Sequence, residues 1–318
     1  TGNQARVVGA NDVFSESNTT TGQLNTGNLS FSNSGQLYMN VDGTTPGASH
    51  DQINVTGTVA LGTQKILNLA LGSSFVPSLG QQFVLINNDG ADAISGTFSG
   101  RAEGSIVSLN GAEFQLSYVG GTGNDMVLTC TFSPKAWNGS VSALWSNPNN
   151  WTPVGVPAPG NGLLFPSGAA NLSNTNDLPI GTAFSRIVFT GSGYTLGGNG
   201  IVLTNLLRAE PNVGAVLNLP IDVATNAVSF MAAGSPLRVN GAMSGSGPIS
   251  IGASQGCGIL TISGSHSYSG PLSTTNPNCP TLALNGASLP AASITHGGYL
   301  LSGNGTIGPL SWTGNQTL

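Results

Sequence analysis

Short runs of alternating apolar and polar residues recur along the whole chain. Representative runs are Ile53-Asn54-Val55, Phe114-Gln115-Leu116 and Tyr194-Thr195-Leu196. The apolar residues occupy every second position, which is the period of a β-strand with one buried face. Gly, Asn or Ser follows such runs at intervals of about 8–12 residues, as expected for turns between short strands. Windows rich in Glu, Lys and Gln, which would indicate amphipathic helices, do not occur, so the sequence predicts an all-β fold.

The turn residues help to distinguish two all-β architectures, a β-sandwich and a β-solenoid. From about Gly191 onward, strand-sized runs are separated by corners built from Gly and Asn. These corners are Gly198-Asn199-Gly200, Asn240-Gly241, Gly245-Ser246-Gly247, Asn285-Gly286 and Gly303-Asn304-Gly305. A solenoid coil of about 20–25 residues needs residues that tolerate positive φ at its tight corners. The pattern predicts a parallel β-helix here, whereas the first part of the chain fits either a β-sandwich-like or a β-solenoid module.

A change in composition near residue 134 indicates a boundary between two modules. Ser133-Pro134 interrupts a strand pattern, and a Pro- and Asn-rich stretch follows. Residues 1–134 carry a net charge of −6, and residues 135–318 carry a net charge of +1. We therefore expect an N-terminal β-rich module over 1–134 and a parallel β-helix over 135–318.

Three of the tryptophans lie close together at the start of the second module. They are Trp137, Trp145 and Trp151. Solenoids need capping units over their first coil, and we interpret these aromatic rings as such a cap. The alternative is a row of exposed rings on which a carbohydrate stacks.

Charged residues are scarce, at 6% of the chain, against about 25% in an ordinary soluble domain. Apolar residues reach 39%, which distinguishes the chain from disordered proteins and provides the material for a core. The chain has no basic patch, which argues against nucleic acid as a partner. No apolar run approaches the roughly 18 residues of a membrane helix, so no membrane span is expected.

Residues 256–270 have the sequence GCGILTISGSHSYSG. This segment resembles the autotransporter-associated β-strand repeat, which has the form G-x-G-x-L-x-L-S-G-x-x-x-Y-x-G. Residues 282–287, LALNGA, and residues 301–308, LSGNGTIG, resemble the elements that follow in that repeat. Residues 145–165 are similar to the Trp- and Pro-containing start of such units. The resemblance implies a secreted, right-handed parallel β-helix of a bacterial cell surface.

Residues 40–129 resemble a second module of the same large surface proteins. The similar segments are 47–57, 96–98 and 118–128. Together the two resemblances imply an adhesive or a scaffolding role, and they identify neither a ligand nor a catalytic activity.

The three cysteines are Cys130, Cys257 and Cys279, and none of them has the spacing of a metal site. Cys257 and Cys279 lie in the region that resembles the repeat, and the implied secretion would place them in an oxidising compartment. We predict a disulfide between them, with two buried thiols as the alternative.

One short motif suggests a cation site. Residues 120–128, GGTGNDMVL, match the calcium-binding nonapeptide G-G-x-G-x-D-x-U-x letter for letter. Asn124 and Asp125 would provide ligands, and the oxygen-rich loop that contains Asp89 and Asp92 could complete the site. The motif occurs once, and a Gly-rich hairpin turn is the alternative. No other cofactor is indicated.

Candidate catalytic residues are sparse. The acids of the second module are Asp177, Glu210 and Asp222, which are well separated in sequence. Ser49-His50-Asp51 contains the residue types of a hydrolase triad, but neighbours on a strand point to opposite faces. The sequence therefore favours a protein that is not an enzyme.

The preferred function is a subunit of an extracellular fibre, sheath or surface layer that assembles head to tail with copies of itself. The chain reaches Leu318 within its repeat pattern, and an uncovered coil presents unpaired backbone groups. The residues expected at the contact are Val7, Val8, Leu29, Phe31, Leu310 and Trp312. The alternatives are a passenger-type adhesin that binds glycan or matrix, and a β-helix enzyme that degrades polysaccharide. The chain begins at Thr1 without a signal peptide, which suggests a processed form or a fragment.

Overall fold

A computed structural model describes residues 6–8, 21–31, 36–62, 66–72, 75–232, 234, 236–252, 258–274, 281–296 and 300–312. Within these residues the secondary structure is β throughout, apart from one 3-10 turn at Pro148–Asn150. Backbone contacts divide the chain into two compact units, Thr1–Ser133 and Pro134–Leu318. Most strands pair in parallel with the strand one coil further along the chain, so the predictions of an all-β fold and a parallel β-helix are confirmed.

After β1 (Arg6–Val8), the N-terminal unit forms a solenoid with three strands in each complete coil. Its strands are, in chain order, β2 (Gln23–Thr26), β3 (Leu29–Ser30), β4 (Gln36–Val41), β5 (Gln52–Val55), β6 (Val59–Gly62), β7 (Ile66–Leu71), β8 (Gln82–Asn88) and β9 (Ser95–Gly96). Gln23 lies beside Gln52 and Leu29 lies beside Val59, so one coil takes about 30 residues.

Antiparallel strands complete this unit. β1 pairs antiparallel with β4. β10 (Ile106–Leu109), β11 (Ala112–Gly120) and β12 (Asp125–Phe132) form an antiparallel meander, and β12 pairs antiparallel with β8. Of the two architectures that the sequence leaves open for this unit, the structure shows solenoid coils joined to an antiparallel meander.

The C-terminal unit is a second β-solenoid. Its strands are, in chain order, β13 (Lys135–Trp137), β14 (Trp151–Thr152), β15 (Gly162–Phe165), β16 (Ser173–Asn176), β17 (Thr182–Phe189), β18 (Tyr194–Gly198), β19 (Ile201–Ala209), β20 (Ala215–Leu217), β21 (Ile221–Asp222), β22 (Val228–Met231), β23 (Pro236–Val239), β24 (Met243–Ser244), β25 (Ile249–Gly252), β26 (Ile259–Ser265), β27 (Pro271–Thr274), β28 (Thr281–Leu289), β29 (Ser293–His296), β30 (Leu300–Ile307) and β31 (Leu310–Trp312).

Two long sheets run along this solenoid. The first has the order β14-β13-β15-β17-β19-β22-β25-β27-β29-β31, with β21 and β24 as a side branch from β19. The second has the order β16-β18-β20-β23-β26-β28-β30. All described pairs in both sheets are parallel except β13 with β14. Tyr194 lies beside Ala215 and Leu260 lies beside Leu282, so one coil takes about 22 residues.

The core of this unit is a stack of apolar ladders, because every second residue of a strand points inward. Leu196, Leu217, Val239, Ile262 and Leu284 occupy equivalent positions of five successive coils and are all buried. Each such side chain stabilises the fold by about 1.5–3 kcal/mol through burial.

The predicted corners include glycines with positive φ, namely Gly198, Gly245, Gly286 and Gly303. Gly245 shows why the side chain is excluded. Its φ is +97°, and a Cβ atom built on it would lie 2.5 Å from the backbone nitrogen of Ala224 in the previous coil. Such a corner therefore requires glycine both for its backbone angle and for the close approach of two coils.

Candidate functional site

The last described coil of the C-terminal unit has free strand edges. β30 and β31 are terminal strands of their sheets, and each pairs on one side only within the described residues. Leu301 and Ile307 pack against the core from partly buried positions, and Leu310 is 44% exposed. The backbone of Trp312 pairs with that of His296, and its side chain lies outside the described part. The outer edge of this coil thus presents backbone groups beside apolar side chains.

The direction of the edge amides follows from one hydrogen bond. The Ile294 N–H donates to the carbonyl of Pro309 across 2.8 Å, and Ile294 lies beside Leu310. In a parallel ladder a residue bonds to the two residues that flank its neighbour. The N–H and carbonyl of Leu310 therefore point away from β29, toward the free edge.

The first described coil of the N-terminal unit also contains terminal strands. β2 and β3 are terminal strands of their sheets within the described residues. The Leu29 N–H donates to Thr58 across 2.9 Å and the Phe31 N–H donates to Ala60 across 3.3 Å. By the same alternation, the amide of Ser30 points away from β6.

The side chains of the predicted contact residues in this coil belong to the unit's own core. Leu29 is buried, and Phe31 packs edge to face against Phe98 with 5.9 Å between ring centroids. Val7 and Val8 pair within the chain, because β1 aligns them with Leu37 and Gln36 of β4. Any contact made by β3 would therefore use its backbone edge more than these side chains.

Amide side chains form ladders between coils in the N-terminal unit. The Asn54 side-chain amide donates to Asn25 across 2.8 Å, and that of Asn87 donates to Asn54 across 3.0 Å. The Gln23 amide donates to Gln52 across 2.8 Å. These ladders repeat the backbone pairing on the surface and favour one register of one coil on the next.

The predicted calcium residues do come together, but mainly as hydrogen-bonding partners. Residues 120–125 form the turn of the β11–β12 hairpin. Asp125 is buried, and its two carboxylate oxygens accept the N–H groups of Asn88 (2.8 Å) and Thr122 (3.1 Å). Both oxygens are thus engaged by donors of the protein itself.

Asn124 closes this arrangement. Its side-chain amide nitrogen donates toward the carbonyl oxygens of Asp89 (3.1 Å), Asp92 (3.2 Å) and Gly90 (3.4 Å). The Asp89 and Asp92 residues are exposed. A nitrogen donor thus lies among the carbonyls, where calcium would require an oxygen ligand. The geometry fits a clasp between the hairpin turn and the β8–β9 loop, which we call the Asn124 clasp, better than a calcium site.

The described residues contain no group of three or more His, Cys, Asp or Glu side chains that could hold a metal ion. Ser49, His50 and Asp51 are each held by different partners. The Ser49 hydroxyl accepts the Thr45 N–H, and a ring nitrogen of His50 lies 3.2 Å from the Gly43 carbonyl. The Asp51 carboxylate accepts N–H groups from the backbone, and burial raises its pKa.

The three clustered tryptophans are fully buried at the first coil of the C-terminal unit. Trp137 and Trp145 both pack against Trp151, with ring centroids 5.0 Å and 5.9 Å away. The Trp145 indole N–H donates to the Asn174 side chain across 2.7 Å, and that of Trp151 donates to the Trp145 carbonyl across 2.8 Å. Buried rings cannot stack on a sugar, so the geometry supports the cap.

The predicted disulfide partners, Cys257 and Cys279, lie outside the described residues. Cys130 is a buried free thiol of the N-terminal unit, and burial raises its pKa.

Two features of the C-terminal unit were not proposed as candidate sites from the sequence. The first is the buried pair of His266 and Tyr268 in the repeat-like segment. The Tyr268 hydroxyl is buried between the carbonyl oxygens of Pro271 (2.8 Å) and Gly247 (2.9 Å), and burial raises its pKa to about 12. Arg238 is the second feature, an exposed cation on β23. The sequence does contain a signal for this exposure, because Arg238 lies between two apolar residues, Leu237 and Val239, in an alternating strand pattern.

Comparison of the chain with protein-family models, with curated proteins and with solved structures finds no match. Within the described residues, no helix has the length and apolar character that crossing a membrane requires.

Proposed function

We propose that this chain is a structural subunit of an extracellular assembly on a bacterial surface, in which copies join head to tail. The edge of β30 and β31 in one copy would pair with the edge of β2 and β3 in the next. The joint would then continue a solenoid by adding one more pair of parallel strands.

The observation that carries the proposal is the pair of strand edges with outward amides. The backbone groups of Leu310 point away from β29, and the amide of Ser30 points away from β6. An unpaired strand edge is a template for a strand of another chain. Because the two edges differ, the contact does not close on itself and leads to a filament.

Charge supports the same contact. The N-terminal part carries a net charge of −6 and the C-terminal part a net charge of +1. The two parts that would meet therefore do not carry net charges of the same sign, and the general scarcity of charge removes one of the features that keep natural edge strands apart.

The extracellular location is supported by the resemblance to secreted β-helix repeats. A surface built from Ser, Thr and Asn also has few groups that titrate or are screened, which suits an environment of changing salt and pH.

The decisive experiment removes one edge donor. In Ser30→Pro, the outward N–H is lost, while the extended conformation of Leu29, which precedes proline, is compatible with the new residue. Ser30→Ala keeps the N–H and is the matched control. We expect wild type and Ser30→Ala to form filaments in negative-stain electron microscopy and to sediment as polymers, and Ser30→Pro to remain monomeric.

The other edge provides an independent test. Leu310→Pro removes the outward N–H of β31, whereas Leu310→Val retains it. We expect the first variant to be monomeric and the second to polymerise. Circular dichroism of all variants verifies that the solenoids remain folded. A wild-type protein that stays monomeric at high concentration, or folded proline variants that polymerise normally, would overturn the proposal.

A further inference from the structure

A shallow groove crosses the second sheet of the C-terminal solenoid. Its volume is about 360 Å³, and it lies over β18, β20 and β23. Thr195, Val216 and Arg238 line it from equivalent positions of three successive coils. Neighbouring strands are about 4.8 Å apart, so this column is about 10 Å long. The groove is therefore extended along the solenoid and open to solvent.

Small residues form part of the lining of this groove. Gly193 and Gly214 precede the inward-facing Tyr194 and Ala215, which pair with each other, and Pro236 precedes Leu237 in the next coil. The Ser192 hydroxyl at the rim accepts the Gly214 N–H across 3.3 Å. The lining thus combines apolar surface from Val216 and Pro236 with hydroxyl groups, a combination that suits the mixed faces of a sugar ring.

Arg238 differs from the other cations of this unit. Arg208 forms an ion pair of 2.8 Å with Glu210, and Lys135 donates to the Pro153 carbonyl across 2.8 Å. Arg186 is buried and has its own interactions. Within the described residues, Arg238 is exposed and has no hydrogen bond or ion pair. Its guanidinium can therefore present its donors to an anion in the groove.

We propose that this groove binds a carboxylate-bearing polysaccharide, a chain that contains uronic acid units. Arg238 would bind a uronate carboxylate through two parallel hydrogen bonds. The apolar lining would contact the C–H face of the sugar, and Thr195 would face its hydroxyl groups. The proposal does not depend on self-assembly, since the groove lies on a side face of the solenoid, away from the free edges of β30 and β31.

The test measures binding of an oligogalacturonate by isothermal titration calorimetry, with a neutral galactose oligosaccharide of equal length for comparison. We expect saturable binding of the uronate that weakens as salt is added. Arg238→Gln should weaken it by about tenfold or more, because a hydrogen bond to a charged group contributes on that scale. Lys135→Gln is the matched control, since it removes the same charge outside the groove.

A second variant tests the groove itself. Val216→Trp fills it from an outward-facing position, keeps all charges and leaves the core unchanged. We expect it to abolish uronate binding while thermal unfolding stays like that of wild type. The proposal would be overturned if wild type bound no uronate, or bound the neutral oligosaccharide or single-stranded DNA as tightly as the uronate. It would also be overturned if Lys135→Gln weakened uronate binding as much as Arg238→Gln does.

Discussion

The Nδ1 atom of His266 accepts a hydrogen bond of 3.0 Å from the backbone N–H of Met243 in the preceding coil. Both residues are buried. Burial lowers the pKa of His266, and the Ser263 carbonyl offsets this effect in part. This contact joins two coils through an imidazole that is neutral when it accepts the Met243 N–H.

This contact predicts a pH dependence of stability. Because the pKa of His266 is lower in the folded state, the unfolded state binds the proton first as the pH falls through the unfolded value near 6.5. Stability of the C-terminal unit should thus be greatest above that pH and decrease as the pH falls below about 6.5. Tryptophan fluorescence in urea reports on this unit, since all four tryptophans lie in it.

His266→Asn is the matched variant for that measurement, because its side-chain oxygen can replace Nδ1 as the acceptor. We expect a flatter stability profile between pH 7 and pH 5 than in wild type. An unchanged profile in this variant would assign the pH dependence to other groups.

Replacing Trp151 with Ala should lower the free energy of unfolding of the C-terminal unit by about 3–5 kcal/mol, the usual cost of removing a buried aromatic ring. The ring is fully buried between Trp137 and Trp145. Ile180→Ala is the control, because Ile180 is 81% exposed. Urea unfolding followed by circular dichroism measures both, and equal stabilities would contradict the buried cap.

The Asn124 clasp predicts that calcium has little effect on stability. Asp125→Asn removes the charge that accepts the N–H groups of Asn88 and Thr122, and should cost about 1–3 kcal/mol. Differential scanning calorimetry with calcium and with a chelator should give the same melting temperature for wild type. A rise in melting temperature with calcium that Asp125→Asn abolishes would restore the calcium site that the sequence motif predicts.

The disulfide between Cys257 and Cys279 stays a prediction. Thiol titration of the unreduced, denatured protein should find one thiol, that of Cys130, and three after reduction. Three thiols before reduction would reject the disulfide and favour the alternative of two buried thiols.

The period of the apolar residues and the Gly-Asn corners were sufficient to predict an all-β chain with a parallel β-helix. They act locally, because alternation fixes which face of a strand is buried and positive φ selects glycine at positions such as Gly245 and Gly303. The tryptophan cap could also be proposed, since three large rings at the start of a solenoid need a place in its core.

The sequence could not show which residues distant in the chain meet. The nonapeptide match suggested Asn124 and Asp125 as calcium ligands, with the loop of Asp89 and Asp92 to complete the site, but it could not show that an amide nitrogen of Asn124 faces that loop's carbonyls. Likewise, the sequence could not show that Val7 and Val8 lie in a strand that pairs with β4 of the same chain on one side, and the contact expected for them between copies stays a prediction.

The sequence alone determined the strand period, the corners and the scarcity of charge, because each depends on residue type and local backbone conformation. The tertiary structure decided the orientation of the Leu310 and Ser30 amides, the clasp around Asn124, and the alignment of Thr195, Val216 and Arg238 in one groove. Those relationships depend on the register between coils, and register is set by the packing of many side chains together.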